Sequence, residues 1–242
     1  MIGVILAAGK GRRIESITNG LPKSFLHLGG KRLIDHQIDT LRNSGISIIV
    51  IVIGYKSELF EETYQNNKDI ILVKNPFYDR TNVLASLWFA YPHLYSGFYF
   101  MHADTYFSPK IFEKMIQEPG DIVFALEKKE TVPEEMKVVI KNGLIAEISK
   151  EIPCEKAYGE FTGLAKINPE FTPHLIKIIR NRIESLAKHD DYFEAAIQDL
   201  ADDGVPIHKM DIDHHLSIEI DSPEDYKKAQ ELYQTHFLDR LK

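Results

Sequence analysis

Short, wholly apolar runs recur along the chain, separated by stretches whose apolar residues return at helical spacing. Residues 2–7 are apolar throughout and end in Ala-Ala-Gly, the pattern of a strand buried on both faces. Leu33, Ile34, Ile38 and Leu41 then recur on one helical face, and Gly45 closes that helix. Residues 46–53 form a nearly unbroken β-branched run, a second central strand. The pattern next predicts a polar helix over about 56–66, a strand at 70–73, a loop at 75–81 and a helix over 82–91. A strand at 98–101, with Asp104 just past its end, a helix near 109–117 and a strand at 121–126 follow. Such alternation predicts an α/β fold, a Rossmann-like three-layer α/β/α arrangement with a mostly parallel, mixed sheet.

The texture changes after residue 130. Two short strands over 137–148 flank Asn142-Gly143, a strong hairpin-turn signal. A strand at 161–167, helices over about 170–187 and 191–202, and strands near 207–211 and 217–220 come next. Ser222-Pro223 opens a last helix over about 223–235, a cap followed by proline at the first helical position. No repeat or linker interrupts this order, so one domain spanning 1–242 is expected. Within it, residues 131–215 supply a small β-hairpin and helical portion that completes a pocket.

Composition narrows the function. With 242 residues, 44% of them hydrophobic, the chain is long enough for one well-buried core. Its formal net charge is −7 and its pI about 5.8, which argues against nucleic acid or an anionic membrane as partner. An acidic protein that handles anions must concentrate its cations locally. The single cysteine, Cys154, allows no intrachain disulfide and no site built on several thiolates. The apolar start lacks a basic leader and is too short to span a bilayer, so a cytoplasmic protein is expected.

The cations gather in the loop after the first strand. In an open parallel sheet, ligands bind beyond the carboxyl ends of the strands. That loop reads Leu6-Ala7-Ala8-Gly9-Lys10-Gly11-Arg12-Arg13 and continues to Leu21-Pro22-Lys23. Its small residues let backbone N–H groups approach phosphates closely. A dinucleotide fingerprint needs a third glycine where Ile14 stands, and an acidic ribose ligand where the chain has Gly54-Tyr55-Lys56. An oxidoreductase is therefore disfavoured. The segment LAAGKGRR…LPKSFLHLGGKRLIDHQIDTL resembles the signature L-A-A-G-x-G-x-R…P-K of the sugar-phosphate nucleotidyltransferase superfamily, the MobA-like NTP transferases. The resemblance implies that Leu6, Ala7, Ala8, Gly9 and Gly11 wrap the nucleotide, and that Arg13 and Lys23 hold the triphosphate and stabilise charge during transfer.

The chemistry explains such residues. A phosphate or phosphonate nucleophile is already ionised at neutral pH and needs no general base. The difficulty is bringing it against an anionic α-phosphate, so catalysis consists of positioning and charge neutralisation. A magnesium ion held by one or two carboxylates suits that task. Asp104 and Asp221, each just past a strand end, are the candidate ligands, and the resemblance assigns magnesium to both contexts. Taken alone, Asp104 also reads as a turn residue and Asp221 as a residue complementing a helix dipole. Some relatives carry an acid two positions before the first aspartate; here that position is His102.

The stretch 75–87, Asn75-Pro76 through Thr81-Asn82 to Ser86-Leu87, is similar to bacterial CTP:phosphocholine and 2-aminoethylphosphonate cytidylyltransferases. The similarity extends to segments at 138–150, 159–166 and 219–226. It implies Asn82 and Ser86 at the nucleotide, although Thr81-Asn82 also reads as a helix cap. It divides the domain into a nucleotide-binding part, about 1–130 plus 216–242, and an acceptor-binding part, about 131–215. Lys150, Glu160 and Asp191 are the acceptor candidates, and Asp190-Asp191 beside Tyr192 or Trp88 offers a seat for an ammonium group. His214-His215 lacks the spacing of a zinc site. The expected activity is transfer of CMP from CTP to a small phosphorylated alcohol or phosphonate, releasing pyrophosphate. A sugar-1-phosphate or inositol-phosphate acceptor, and a non-catalytic nucleotide-binding domain, remain alternatives. Homo-oligomerisation is left open.

Overall fold

Strand alternation organises the molecule, whose computed structural model describes residues 1–240. In chain order the first half contains β1 (Ile2–Ala7), α1 (Glu15–Thr18), β2 (His27–Leu28), β3 (Lys31–Arg32), α2 (Leu33–Asn43), β4 (Ile49–Ile53) and α3 (Ser57–Tyr64). It continues with β5 (Ile70–Lys74), α4 (Val83–Ala90), β6 (Phe98–His102), β7 (Thr105–Phe107), α5 (Pro109–Gln117) and β8 (Ile122–Glu127). The second half adds β9 (Lys137–Lys141), β10 (Leu144–Ser149), β11 (Gly159–Ile167), α6 (Thr172–Arg180) and α7 (Phe193–Asp202). It ends with β12 (His208–Asp211), β13 (Ser217–Glu219) and α8 (Pro223–Arg240).

Nine strands form one mixed sheet in the order β5-β4-β1-β6-β11-β8-β12-β10-β9, with β9 also pairing to β11. Only β10 and β11 run against the others. The period of two along each strand divides the core. Val4, Val50, Val52, Phe98 and Phe100 pack on one face, and Ile5, Ile49, Ile51, Tyr99 and Met101 on the other. Because both faces are covered, these strands read as unbroken apolar runs. The three-layer α/β arrangement is thus present.

Several boundaries depart from the pattern. The helix expected over 170–187 stops at Arg180 and passes into a π-turn at Asn181–Ser185. The strand expected near 217–220 does not join the main sheet. Instead β13 pairs antiparallel with β7, an element the periodicity does not reveal in so short a segment. β9, β10, β11 and β12 belong to the same nine-stranded sheet as the first half. Residues 241–242 of the expected domain lie outside the described residues. Among the described residues no helix is long and apolar enough to cross a membrane.

A third apolar cluster fixes the site. Ile14, Leu26, Leu28 and Leu33, from the first loop and its continuation, pack with Tyr106, Ile220 and Ala229. This cluster brings residues near 13–23 against residues near 221, although about two hundred positions separate them.

Candidate active site

The loop after β1 borders a cleft of about 320 Å³. Leu6, Ala7, Gly9, Gly11, Arg13, Lys23, Asp104 and Asp221 all line it, so eight of the residues singled out in the sequence converge. Gly11 is left-handed at φ +64, and a Cβ there would lie 3.0 Å from the Lys23 Cβ, so glycine is what allows the loop to close over that lysine. Ala8 is turned away from the cleft wall, its carbonyl accepting the Tyr55 N–H at 2.9 Å.

Two devices position the aspartates. The Gln37 carboxamide donates to the carbonyls of His102 and Thr105, both at 2.7 Å, and so holds the turn that carries Asp104. The Ile220 N–H donates to the Asp104 carbonyl at 3.0 Å, which clamps β13 beside that turn. At the start of α8, Ser222 and Asp225 cap each other. The Ser222 N–H donates to Asp225 Oδ2 at 2.9 Å, and the Asp225 N–H donates to Ser222 Oγ at 3.1 Å. This reciprocal cap leaves the Asp221 carboxylate free to face the cleft.

Lys23, buried beneath the loop, donates to Asp104 Oδ2 at 2.9 Å and to Asp221 Oδ1. Arg13, largely exposed, donates to Asp221 Oδ2 at 2.6 Å. Burial works against the Lys23 ammonium, but the charges of Asp104 and Asp221 prevail and hold its pKa above the ordinary value. Burial likewise opposes ionisation of Asp104, and Lys23 and His102 reverse this, holding it below the carboxylate range.

A third carboxylate stands with them. One ligand atom each from Asp104, Glu219 and Asp221 lies within 4.8 Å of the others. Loss of water around the Glu219 carboxyl, with the charges of Asp104 and Asp221, pushes its pKa up to about 8, although the residue keeps a solvent-exposed flank. Sequence reading passed over this residue. Its signal was the alternation Ile218-Glu219-Ile220-Asp221, which sends both acids to one side and Ile220 into the core. Three hard oxygen donors, and an Asp104 Oδ1 that is buried without a hydrogen-bond partner, fit a magnesium ion. Ser24 was also missed: it lines the cleft, and its buried hydroxyl has no partner among the described residues.

The remaining candidates lie elsewhere. Asn82 caps α4, accepting the Val83 N–H at 2.8 Å, and donates to the Asp190 carbonyl at 3.2 Å. Ser86 is buried, and its hydroxyl accepts from Asn75 Nδ2 at 3.1 Å. Neither lines the cleft; both brace the loop in front of it. Lys150 Nζ sits 4.8 Å from the centre of the Tyr192 ring. Glu160 pairs with Lys129 at 2.7 Å. Burial keeps Glu160 above its usual pKa despite that partner, and its charge reaches Glu219. Asp191 is held by Arg182 at 2.6 Å, and the Trp88 indole donates to Glu184 at 2.9 Å. Asp191 and Tyr192 thus have side-chain partners, whereas Trp88 is engaged through its ring N–H. His214 and His215 contact each other with ring centres 4.8 Å apart.

An α/β sheet whose first loop carries paired cations against clustered carboxylates defines a nucleotidyltransferase site, and the chain belongs to the MobA-like NTP transferase domain family, whose model matches residues 3–188. Its similarity to a choline-phosphate cytidylyltransferase of Streptococcus pneumoniae is 26% identity over 233 residues, covering 96% of this chain and 98% of that one. It is 24% identical over 194 residues to a CTP:phosphoglutamine cytidylyltransferase of Campylobacter jejuni, covering 73% and 76% of the two chains. The solved structure of the CTP:phosphocholine cytidylyltransferase of Streptococcus pneumoniae superposes with a TM-score of 0.82 at 25% identity, over 96% of this chain and 98% of that one. The family expected from the first loop is the family found.

Proposed function

We propose that the protein transfers CMP from CTP to a small phosphorylated alcohol or phosphonate, releasing pyrophosphate. The observation that carries this reading is the convergence of Arg13 and Lys23 on Asp104 and Asp221 at the mouth of the cleft walled by Leu6, Ala7, Gly9 and Gly11. Similarity over nearly full length to a choline-phosphate cytidylyltransferase supports the choice of CTP and of acceptor class.

In the reaction an acceptor oxygen forms a bond to the α-phosphorus. The bond from that phosphorus to the bridging oxygen breaks, and pyrophosphate leaves with the electron pair. No proton need move. The loop backbone and the Ser24 hydroxyl orient the triphosphate. Lys23 and Arg13 offset the negative charge that accumulates as nucleophile and leaving group share the phosphorus. Asp104, Asp221 and Glu219 would hold a magnesium ion, which supplies further neutralisation of phosphate charge. The reading assigns Glu160 and Lys150 to the acceptor side, in the part formed by residues 131–215. Asp191, engaged by Arg182, acts there only through that pair.

The test is pyrophosphate release with magnesium, each NTP being offered against phosphocholine, 2-aminoethylphosphonate, an inositol phosphate and sugar-1-phosphates. Release confined to CTP with an amino-alcohol phosphate or a phosphonate is expected. Release with a sugar-1-phosphate alone would refute the acceptor assignment, and release without CTP would refute the nucleotide.

A further inference from the structure

Lys137 opens β9 and is only 1% exposed, and among the described residues no carboxylate pairs with it. Burying an ammonium is costly unless it is hydrogen-bonded. Here its three donors meet three main-chain carbonyls of the preceding loop, those of Pro133 at 2.8 Å, Glu135 at 3.1 Å and Val132 at 3.4 Å. An apolar residue would fill the same space without burying a charge. The ammonium's particular contribution is therefore to gather the loop. We propose that Lys137 is a positioning residue for the acceptor: by folding the loop before β9 it fixes Glu135 and Lys129, and through them the Glu160 carboxylate. The proposal rests on the acceptor role given to Glu160 above and deepens it.

Each link from Lys137 to Glu160 is a direct contact. Lys137 holds the Glu135 carbonyl, and Glu135 folds back so that its Oε2 accepts the Val132 N–H at 2.8 Å. Its other oxygen, Oε1, pairs with Lys129 Nζ at 2.8 Å. Lys129 in turn reaches Glu160 Oε2 at 2.7 Å and Glu127 Oε2 at 3.2 Å. Burial works against the Lys129 ammonium, but its hydrogen bonds to Glu135 and Glu160 and the charges of Glu160 and Glu127 prevail and hold its pKa above the ordinary value.

The register of the sheet explains why such a relay is needed. Glu160 of β11 stands opposite Glu127 of β8 on one side and opposite Lys137 of β9 on the other. Like charges directly opposed across strands repel. Lys137, the cross-strand neighbour of opposite charge, is committed to the loop carbonyls. Lys129 is therefore the cation that holds Glu127 and Glu160 together, and Glu135 anchors it from the loop side. Glu160 stands within electrostatic reach of Glu219, so what fixes its carboxylate acts beside the catalytic cleft.

The test is steady-state kinetics, with the acceptor that gives pyrophosphate release in the wild type, on Lys137→Met, Lys129→Met, Glu160→Gln and the double variant of Lys137→Met with Glu160→Gln. In Lys137→Met and in Lys129→Met the acceptor KM should rise about fivefold or more, with kcat and the KM for CTP within about twofold of wild type. On a Glu160→Gln background Lys137→Met should add nothing, because the relay has no carboxylate left to position. A Lys137→Met protein that keeps the wild-type acceptor KM, or whose effect adds in full to that of Glu160→Gln, overturns the proposal. Should Lys137→Met fail to fold, partly exposed Lys129→Met decides: a raised acceptor KM supports the relay, and a wild-type value overturns it. A Glu160→Gln variant with the wild-type acceptor KM overturns the acceptor role of Glu160, and this inference falls with it.

Discussion

Lys23 Nζ lies 2.9 Å from Asp104 Oδ2, with Lys23 buried beneath the first loop and Asp104 at the end of the central strand β6. The ammonium therefore sits against one of the carboxylates a divalent cation would use. Two consequences follow from one placement: the lysine stabilises the empty cleft, and it competes with a metal for the same oxygens.

Lys23→Met separates these roles. Removing the ammonium leaves Asp104 without its partner, which should cost about 3 kcal/mol or more of stability in the absence of metal. Magnesium should restore part of the loss and should bind more tightly than to wild type. Turnover should nevertheless fall about 100-fold or more, because the triphosphate loses a buried cation. Thermal melting with and without magnesium, alongside steady-state rates, checks all three. A stable variant with unchanged rates would remove Lys23 from the mechanism.

Glu219→Gln addresses the third carboxylate. Its oxygen lies within 4.8 Å of those of Asp104 and Asp221, so the variant should weaken magnesium affinity by about tenfold or more. The three-carboxylate assignment fails if calorimetry gives the wild-type magnesium affinity and the metal dependence of turnover is unmoved.

Glu194, on the first turn of α7, gives a prediction about pH. It is only 2% exposed, and its Oε2 has no partner among the described residues. Burial raises its pKa above the ordinary value of 4.5, and the charges of His102 and Lys150 only partly oppose this. A raised pKa means that the folded chain binds the proton more strongly than the unfolded chain. The corresponding stabilisation is complete below about pH 4.5 and is lost as pH rises through the folded-state value. Glu194→Gln should therefore be more stable than wild type at pH 7, and the difference should shrink towards pH 4. Urea midpoints at the two pH values measure it; an equal difference at both would mean that the carboxyl is ionised alike in both states.

Much of this arrangement was legible in the chain because its causes are local. β1, β4 and β6 are buried on both faces, so each reads as an apolar run whatever its neighbours. The loop from Gly9 to Lys23 was legible because its small residues and cations stand close together in the chain. Ser222-Pro223 marked the start of α8 through its own backbone needs. Glu219 escaped notice because a carboxylate in a short strand looks like an ordinary solvated residue until its partners are known. For Asn82 and Ser86 the sequence left two uses open, because a polar residue near a ligand loop looks the same whether it touches the ligand or braces the loop. The bracing use shows only in the folded chain, where Asn75 joins Ser86 to Thr81.

The sequence by itself thus determined the α/β class, the order of most elements, the cation-rich loop after β1, and Arg13, Lys23, Asp104 and Asp221 as candidates that line one cleft. These follow from periodicity, turn chemistry and charge, which act over a few residues. Tertiary structure alone decided that β13 leaves the main sheet to pair with β7, that Asp221 meets Lys23 and Arg13, and that Asp191 is engaged by Arg182. Each of these depends on which partner comes within a few ångströms of a group. That is set by the packing of Ile14, Tyr106 and Ile220, and of α7 against the sheet, between segments far apart in the chain.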